Sequence, residues 1–262
     1  MLAKSLRDSR RTLVWWSIGL CAFMGLYLGV YNSVRESPEV YGPAALAKFP
    51  GALRDLMGLQ DFLSGTGYLQ SAVYQVFVPM LFVVCATTLA NRAIAQPEES
   101  GTLELVLTLP VDRRRLVLQR WAALVVSLLV VAVVTLAVAW ALSAALTMGV
   151  PFGRILAAHT GMFLLALLFG TVALALGAAT GRRVVASAAV GVWLVAGYVV
   201  VTMGSGVDAV AWLKWFSPYH YYIDGRPLYE GLPVGDYLVL AGATVVFALT
   251  AALAFDRRDV GV

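Results

Sequence analysis

The chain has 262 residues, of which 60% are hydrophobic and only 13% charged, and its formal net charge is +4 at pH 7. The charged share is about half of that in soluble domains, so the composition excludes an ordinary soluble protein. The basic excess is explained by membrane topology and contact with anionic lipid, because the charges lie between long uncharged stretches. We therefore expect lipid, and no nucleic acid, as a partner.

Six uncharged stretches are each long enough for an apolar run of about 20 residues, which crosses a hydrocarbon layer of about 30 Å as a helix. Backbone amides in lipid must be paired within the chain, and strand-like alternation is absent, so helices are favoured over a β-barrel. The sequence predicts an all-α, polytopic protein with one transmembrane domain over 1–262. The predicted spans are 13–31, 68–90, 118–146, 155–180, 184–203 and 237–255.

Lysine and arginine mark the cytoplasmic side of a membrane protein. If the N-terminus is inside, the segments that face the cytoplasm contain 13 of the 19 basic residues, and the outer segments contain 6. We therefore predict that both termini are cytoplasmic. The first residues, 1–12, place leucines along one helical face and basic residues on the other, which favours either a short helix in the inner interface or a frayed basic tail.

A short acidic element, AQPEESGTLELVLTLP, separates the second and third spans at 95–110. Pro97 suits the first turn of a helix, the carboxylates of Glu98 and Glu99 favour its N-terminus, and Pro110 ends it. The predicted helix is too short and too acidic to cross a bilayer. Its wide apolar arc leaves two interpretations open: a docking element for a basic protein surface, or an amphipathic connector between spans.

The sequence EESGTLELVLTLPVDRRRLVLQRW, followed by a long span, resembles the cytoplasmic loop of ABC-2-type (type V) exporter permeases. The run ALAFDRRDV near the C-terminus is similar to the end of the last helix in that family. The resemblance implies that 95–110 is a coupling helix in a cleft of a separate ATP-binding subunit. It also implies that 1–12 is an interfacial connecting helix, and that the outer segment 204–236 dips back into the membrane as short helices. The implied contacts with the ATPase subunit are Glu98, Glu99, Gly101, Thr102 and Glu104.

The same resemblance implies an ATP-driven exporter in the cell membrane, with the bacterial inner membrane as the expected location. The chain contains no G-x-x-x-x-G-K-[ST] phosphate-binding loop, so we expect it to be no ATPase itself and to hold no cofactor. ATP and Mg²⁺ would be bound by a cytoplasmic ATPase subunit in two copies. A second permease chain, identical or related, would complete the complex.

Three other functional classes are weighed against this one. A secondary transporter usually carries ionisable residues within the membrane, and here the spans offer His159 alone. A membrane enzyme needs an acid–base or metal constellation, and the polar residues around His220 (Asp224, Arg226 and Glu230) are better explained as a solvated loop. A structural membrane protein would not need the acidic element. The lack of charge in the spans favours an apolar or amphipathic substrate.

Overall fold

The fold is known from a computed structural model, which describes residues 2–102, 112–204 and 211–257, with side chains for all of these except 2–9 and 60. The described ranges are helical and contain no β-strand. The α-helices are α1 Leu2–Gly29, α2 Tyr31–Arg35, α3 Pro38–Tyr41, α4 Pro43–Leu46, α5 Gly51–Met57, α6 Gly65–Leu69, α7 Phe77–Ala93, α8 Ala95–Glu99, α9 Arg113–Ala145, α10 Phe152–Thr180, α11 Arg183–Met203, α12 Pro218–Ile223, α13 Pro227–Glu230 and α14 Val234–Asp256. Leu59–Asp61 and Ala211–Phe216 form 3₁₀ turns, and Gln70–Gln75 forms a π-helix.

Among the described residues, six helical segments are long and apolar enough to cross a membrane, which confirms the predicted all-α fold with six transmembrane helices. The cytoplasmic position of both termini stays a prediction. The six segments are Arg10–Arg35, Gly65–Ala93, Arg113–Ala145, Phe152–Thr180, Arg183–Met203 and Val234–Asp256.

Helix α10 forms the centre of the bundle, and α7 and α14 pack directly against it. Of its most apolar 18 residues 72% are buried, against 17% for the first segment and 28% for α11. Small residues allow this close approach: a Cβ atom at Gly170 would lie 2.9 Å from the Ala86 Cβ atom of α7. The peripheral helices therefore present apolar faces to lipid or to another chain, while α10 is enclosed by protein.

Two predicted boundaries are corrected by the structure. Helix α1 runs without a break from Leu2 to Gly29, so the predicted interfacial helix over 1–12 and the span predicted from residue 13 are not separate helices. The second span, predicted over 68–90, is not one regular helix, because the π-helix Gln70–Gln75 and an irregular residue, Val76, separate α6 from α7. Such π-helical insertions are often found at functional sites.

The bundle has two polar ends. The arginine-rich end comprises Arg92, α8, the start of α9, the start of α11 and the end of α14. The opposite end is formed by α2 to α6, the segment after α9, and α12 and α13; we call it the cavity end, after the cavity described below. Gly65 of α6 packs so closely on the main chain of Met148, which follows α9, that a side chain there would collide with it.

Candidate coupling site

The acidic segment begins as predicted with a helix, but that helix is short. Helix α8 covers Ala95–Glu99, and Gly101 adopts a left-handed conformation with φ of 69°. The Gly101 amide donates to the Glu98 carbonyl at 2.9 Å, which is a common way for glycine to end a helix. The Thr102 hydroxyl donates to the Pro97 carbonyl at 3.1 Å and satisfies another acceptor at this helix end. The prediction of one continuous helix over 95–110 is therefore wrong at Gly101.

Glu99 is bound within the chain to the start of α11. One carboxylate oxygen lies 2.9 Å from the Nε atom of Arg183, and the other accepts the Arg183 backbone N–H at 2.8 Å. Arg183 is the first residue of α11, where backbone amides have no acceptor inside the helix and negative charge is favoured by the helix dipole. Glu99 thus acts as an N-terminal cap that is supplied by a different segment of the chain.

Three further polar contacts join separate segments at this end. Arg114 of α9 binds Asp256 of α14, with the Nη2 and Oδ2 atoms 2.7 Å apart. Arg92 of α7 donates to the hydroxyl of Thr12 in α1. The Asn91 amide donates to the Ser187 hydroxyl of α11 at 2.8 Å. With the Glu99 contact, these bonds form two sets: one joins α1, α7, α8 and α11, and the other joins α9 and α14.

The residues predicted to contact an ATPase do not share one environment. Glu98 is half-buried in the first turn of α8, whereas Gly101 and Thr102 are exposed beyond it. Glu99 is engaged with Arg183, and Glu104 lies outside the described residues. Contact of Glu98, Gly101 and Thr102 with a partner stays a prediction, and Glu99 gains an intramolecular role that the sequence did not predict.

A family model described as "ABC-2 family transporter protein" matches residues 1–260, nearly the whole chain. The chain belongs to the ABC-2 family. This assignment confirms the suspected resemblance and establishes a membrane component of a transporter. Among curated proteins, no match to the chain is found. As a member of the ABC-2 family, the chain is expected to work with an ATP-binding subunit.

The buried His159 has the surroundings of a packing residue rather than of a proton carrier in this ABC-2 protein. Its side chain is 3% exposed, and both ring nitrogens have partners. Nδ1 lies 3.0 Å from the Tyr74 hydroxyl, and Nε2 lies 3.0 Å from the Thr135 hydroxyl. Tyr74 lies in the π-helix, Thr135 in α9 and His159 in α10, so this one ring connects three spans.

Sequence reasoning missed the partner of Glu99, although a signal for it was present. Arg182 and Arg183 lie between the predicted spans 155–180 and 184–203, which places them on the same predicted side of the membrane as the acidic segment, so an ion pair between the two segments could be predicted. The exact form of the contact could not be predicted, because it uses the Arg183 backbone amide, which lacks an intrahelical acceptor only because α11 begins there.

In this ABC-2 protein, the part of the chain that the structure describes has no group of three or more His, Cys, Asp or Glu placed to hold a metal ion.

Proposed function

We propose that the chain is the membrane-spanning permease subunit of an ATP-driven exporter, and that a separate cytoplasmic ATPase docks at its arginine-rich end. The observation that carries the proposal is the acidic segment 95–102, which lies at this end and is fastened to α11 through Glu99. Membership of the ABC-2 family supplies the class of partner. On this proposal the arginine-rich end and both termini are cytoplasmic, and the membrane is the bacterial inner membrane.

Glu98, Gly101, Thr102 and Glu104 would contact the ATPase, and ATP and Mg²⁺ would be held entirely by that subunit. Movement of the ATPase would shift α8, and the bond from Glu99 to Arg183 would pass this shift to the N-terminus of α11. Helix α7, which α8 follows after Ile94, would receive it through the main chain. The docked segment would then favour one of two arrangements of the spans, which is how differential contacts bias a conformational equilibrium.

A second permease chain, identical or related, and a second ATPase would complete the complex. The poor burial of α1 and α11 supports this, because both helices expose large apolar side chains such as Trp15, Val192 and Val195. The substrate would be apolar or amphipathic. In support, α9 carries no Asp, Glu, Lys or Arg after Arg120, the other spans carry such residues only near their ends, and His159 is fully engaged in packing.

The test is co-purification of the chain with a candidate ATPase, such as one encoded beside it, followed by ATP-dependent transport in vesicles. Glu98→Arg places a cation at the proposed docking point and should abolish assembly with the ATPase. Glu39→Arg makes the same charge change on an exposed residue at the cavity end and should leave assembly intact. Full assembly and full transport with Glu98→Arg would refute the docking proposal.

The substitution Glu99→Gln separates docking of the ATPase from the transfer of its movement to α11. The amide retains an acceptor for the Arg183 amide but loses the ion pair. We expect normal assembly with the ATPase and transport slowed by several-fold at unchanged ATPase binding. Loss of assembly instead would show that Glu99 contacts the ATPase directly, as the family resemblance implied.

A further inference from the structure

A polar cavity of about 580 Å³ opens at the cavity end of the bundle. Its walls come from the segment around α5, the π-helix, the end of α11 and the segment around α12 and α13. The residues that carry its chemistry are Asp55, Asp61, Gln75, Asp224, Arg226 and Tyr229. The volume is in the range of small-molecule sites, which are typically about 300 to 1,000 Å³.

The inner wall of this cavity is fixed by hydrogen bonds. Gln75 is only 6% exposed, its amide nitrogen donates to the Asp55 carbonyl at 3.2 Å, and its amide oxygen accepts from Gln70 at 3.1 Å. Gly58, with φ of 66°, lies so close that an added Cβ would be 3.0 Å from the Gln75 side chain. The cavity is therefore formed before any ligand arrives.

The π-helix connects this wall to the packed interior. Gln70 and Gln75, at its two ends, line the cavity, while Tyr74 between them reaches His159. The Tyr222 hydroxyl of α12 donates to the Tyr74 carbonyl at 2.7 Å. Burial raises the pKa of the Tyr222 phenol well above its ordinary value, so the hydroxyl stays protonated at physiological pH and can donate this hydrogen bond.

The charges that line the cavity favour a cation. Three aspartates, Asp55, Asp61 and Asp224, line the cavity together with one arginine, Arg226, so the formal charges of these side chains sum to −2. All three aspartates are exposed, and the Asp224 carboxylate also lies 3.8 Å from the Nδ1 atom of His220. The Arg226 guanidinium lies over the ring of Tyr229, 4.7 Å from its centroid. Burial and the Asp61 carboxylate raise the pKa of the Tyr229 phenol, although Arg226 lowers it, so Tyr229 remains a neutral hydroxyl.

We propose that this cavity binds a small organic cation that carries ammonium groups. Carboxylates would accept charge-assisted hydrogen bonds from the ammonium, and the amide and phenol groups would hold the rest of a polar ligand. An organic cation is favoured over a metal ion, because the described residues contain no cluster of three or more acidic, His or Cys side chains placed to coordinate one. The site needs no ATPase, so it can be tested whether or not the proposed function holds.

The test measures the binding of putrescine to the full chain in lipid nanodiscs by isothermal titration calorimetry. Putrescine carries two ammonium groups and matches the formal balance of the lining. The control ligand is 1,4-butanediol, which has the same carbon chain without charge. We expect saturable binding of putrescine with a Kd tighter than about 1 mM, weaker in high salt, and no binding of the diol.

Asp55→Asn and Asp224→Asn remove one cavity charge each, and each should weaken putrescine binding by about fivefold or more. Asp61 is avoided, because its carboxylate accepts from Ser64, which caps α6. Glu39→Gln removes a charge at the same end outside the cavity and should leave binding unchanged. Thermal unfolding of each variant checks that the fold is retained.

Three outcomes would overturn the proposal: no saturable heat with putrescine up to about 10 mM, equal binding of the diol, or equal weakening by Glu39→Gln and Asp224→Asn. None of these outcomes bears on docking of the ATPase at the opposite end.

Discussion

The two ends of the bundle use polar residues in opposite ways. At the arginine-rich end, charged side chains pair with one another across segments, as Arg114 does with Asp256 and Arg183 with Glu99. At the cavity end, tyrosine hydroxyls bind main-chain carbonyls, as Tyr222 does with Tyr74, and the charged groups surround an open space.

The two kinds of contact suit different tasks: the arginine-rich end can exchange its contacts, and the cavity end is built to hold its shape. The ion pairs of the arginine-rich end are partly exposed, and such pairs contribute little to stability and can be exchanged for contacts with a partner. The hydroxyl bonds of Tyr222 and Tyr74 at the cavity end are buried, so breaking one of them leaves an unpaired polar group. We therefore assign partner exchange to the first end and a preformed cavity to the second.

The largest effect is expected from Gly67→Ala at the cavity end. The new methyl group would collide with the Asp61 carbonyl, a main-chain atom that cannot rotate away. We expect a loss of about 2 to 3 kcal/mol in the free energy of unfolding, measured by denaturation in detergent micelles. Gly25→Ala in α1 has nothing within 4 Å of the new atom and should be neutral or slightly stabilising. Equal effects at the two glycines would contradict the close packing described here.

A smaller loss in the free energy of unfolding is expected when the hydrogen bond between Tyr74 of the π-helix and His159 is removed. Tyr74→Phe leaves a ring nitrogen of His159 without its partner in a buried site, at a cost of about 1 to 2 kcal/mol. Tyr221→Phe removes an exposed hydroxyl bond to the Trp215 carbonyl and should cost less. Unfolding experiments on both variants make the comparison, and a larger cost for Tyr221→Phe would show that the buried hydroxyl bonds do not stabilise this end.

The smallest effect is expected at the arginine-rich end. Asp256→Asn removes the partly exposed ion pair with Arg114 and should cost about 0.5 kcal/mol at low salt. About 1 M NaCl should abolish this difference from the unsubstituted chain, because salt screens exposed charges. The cost of Tyr74→Phe should not change with salt. A cost for Asp256→Asn that persists in high salt would contradict the contrast between the two ends.

Much of the fold could be predicted because hydrocarbon imposes a length and a polarity on each span. Uncharged stretches predicted six helices, and the part of the chain that the structure describes has six membrane-capable helical segments. The break at Gly101 and the π-helix Gln70–Gln75 were not predicted. The first depends on local capping by Ser100 and Thr102, and the second on packing against residues far along the chain.

The candidate sites were predicted less completely, because their partners are distant in sequence. Glu99 was singled out as acidic and presented, but its contact with Arg183 depends on where α11 begins. Asp224 and Arg226 were noticed as polar neighbours of His220, and a solvated loop was the favoured explanation. Their place in a cavity with Asp55 and Gln75 depends on how the two segments of the cavity end fold together.

The most direct test of the central claim is photo-crosslinking in native membranes. A photoreactive phenylalanine analogue replaces the exposed Thr102 at the arginine-rich end or, as the control, Glu39 at the cavity end, so that the Glu98 carboxylate is kept. We expect an adduct between position 102 and a protein that carries a phosphate-binding loop, and no such adduct from position 39. An ATPase adduct from position 39, or none from position 102, would refute docking at the arginine-rich end.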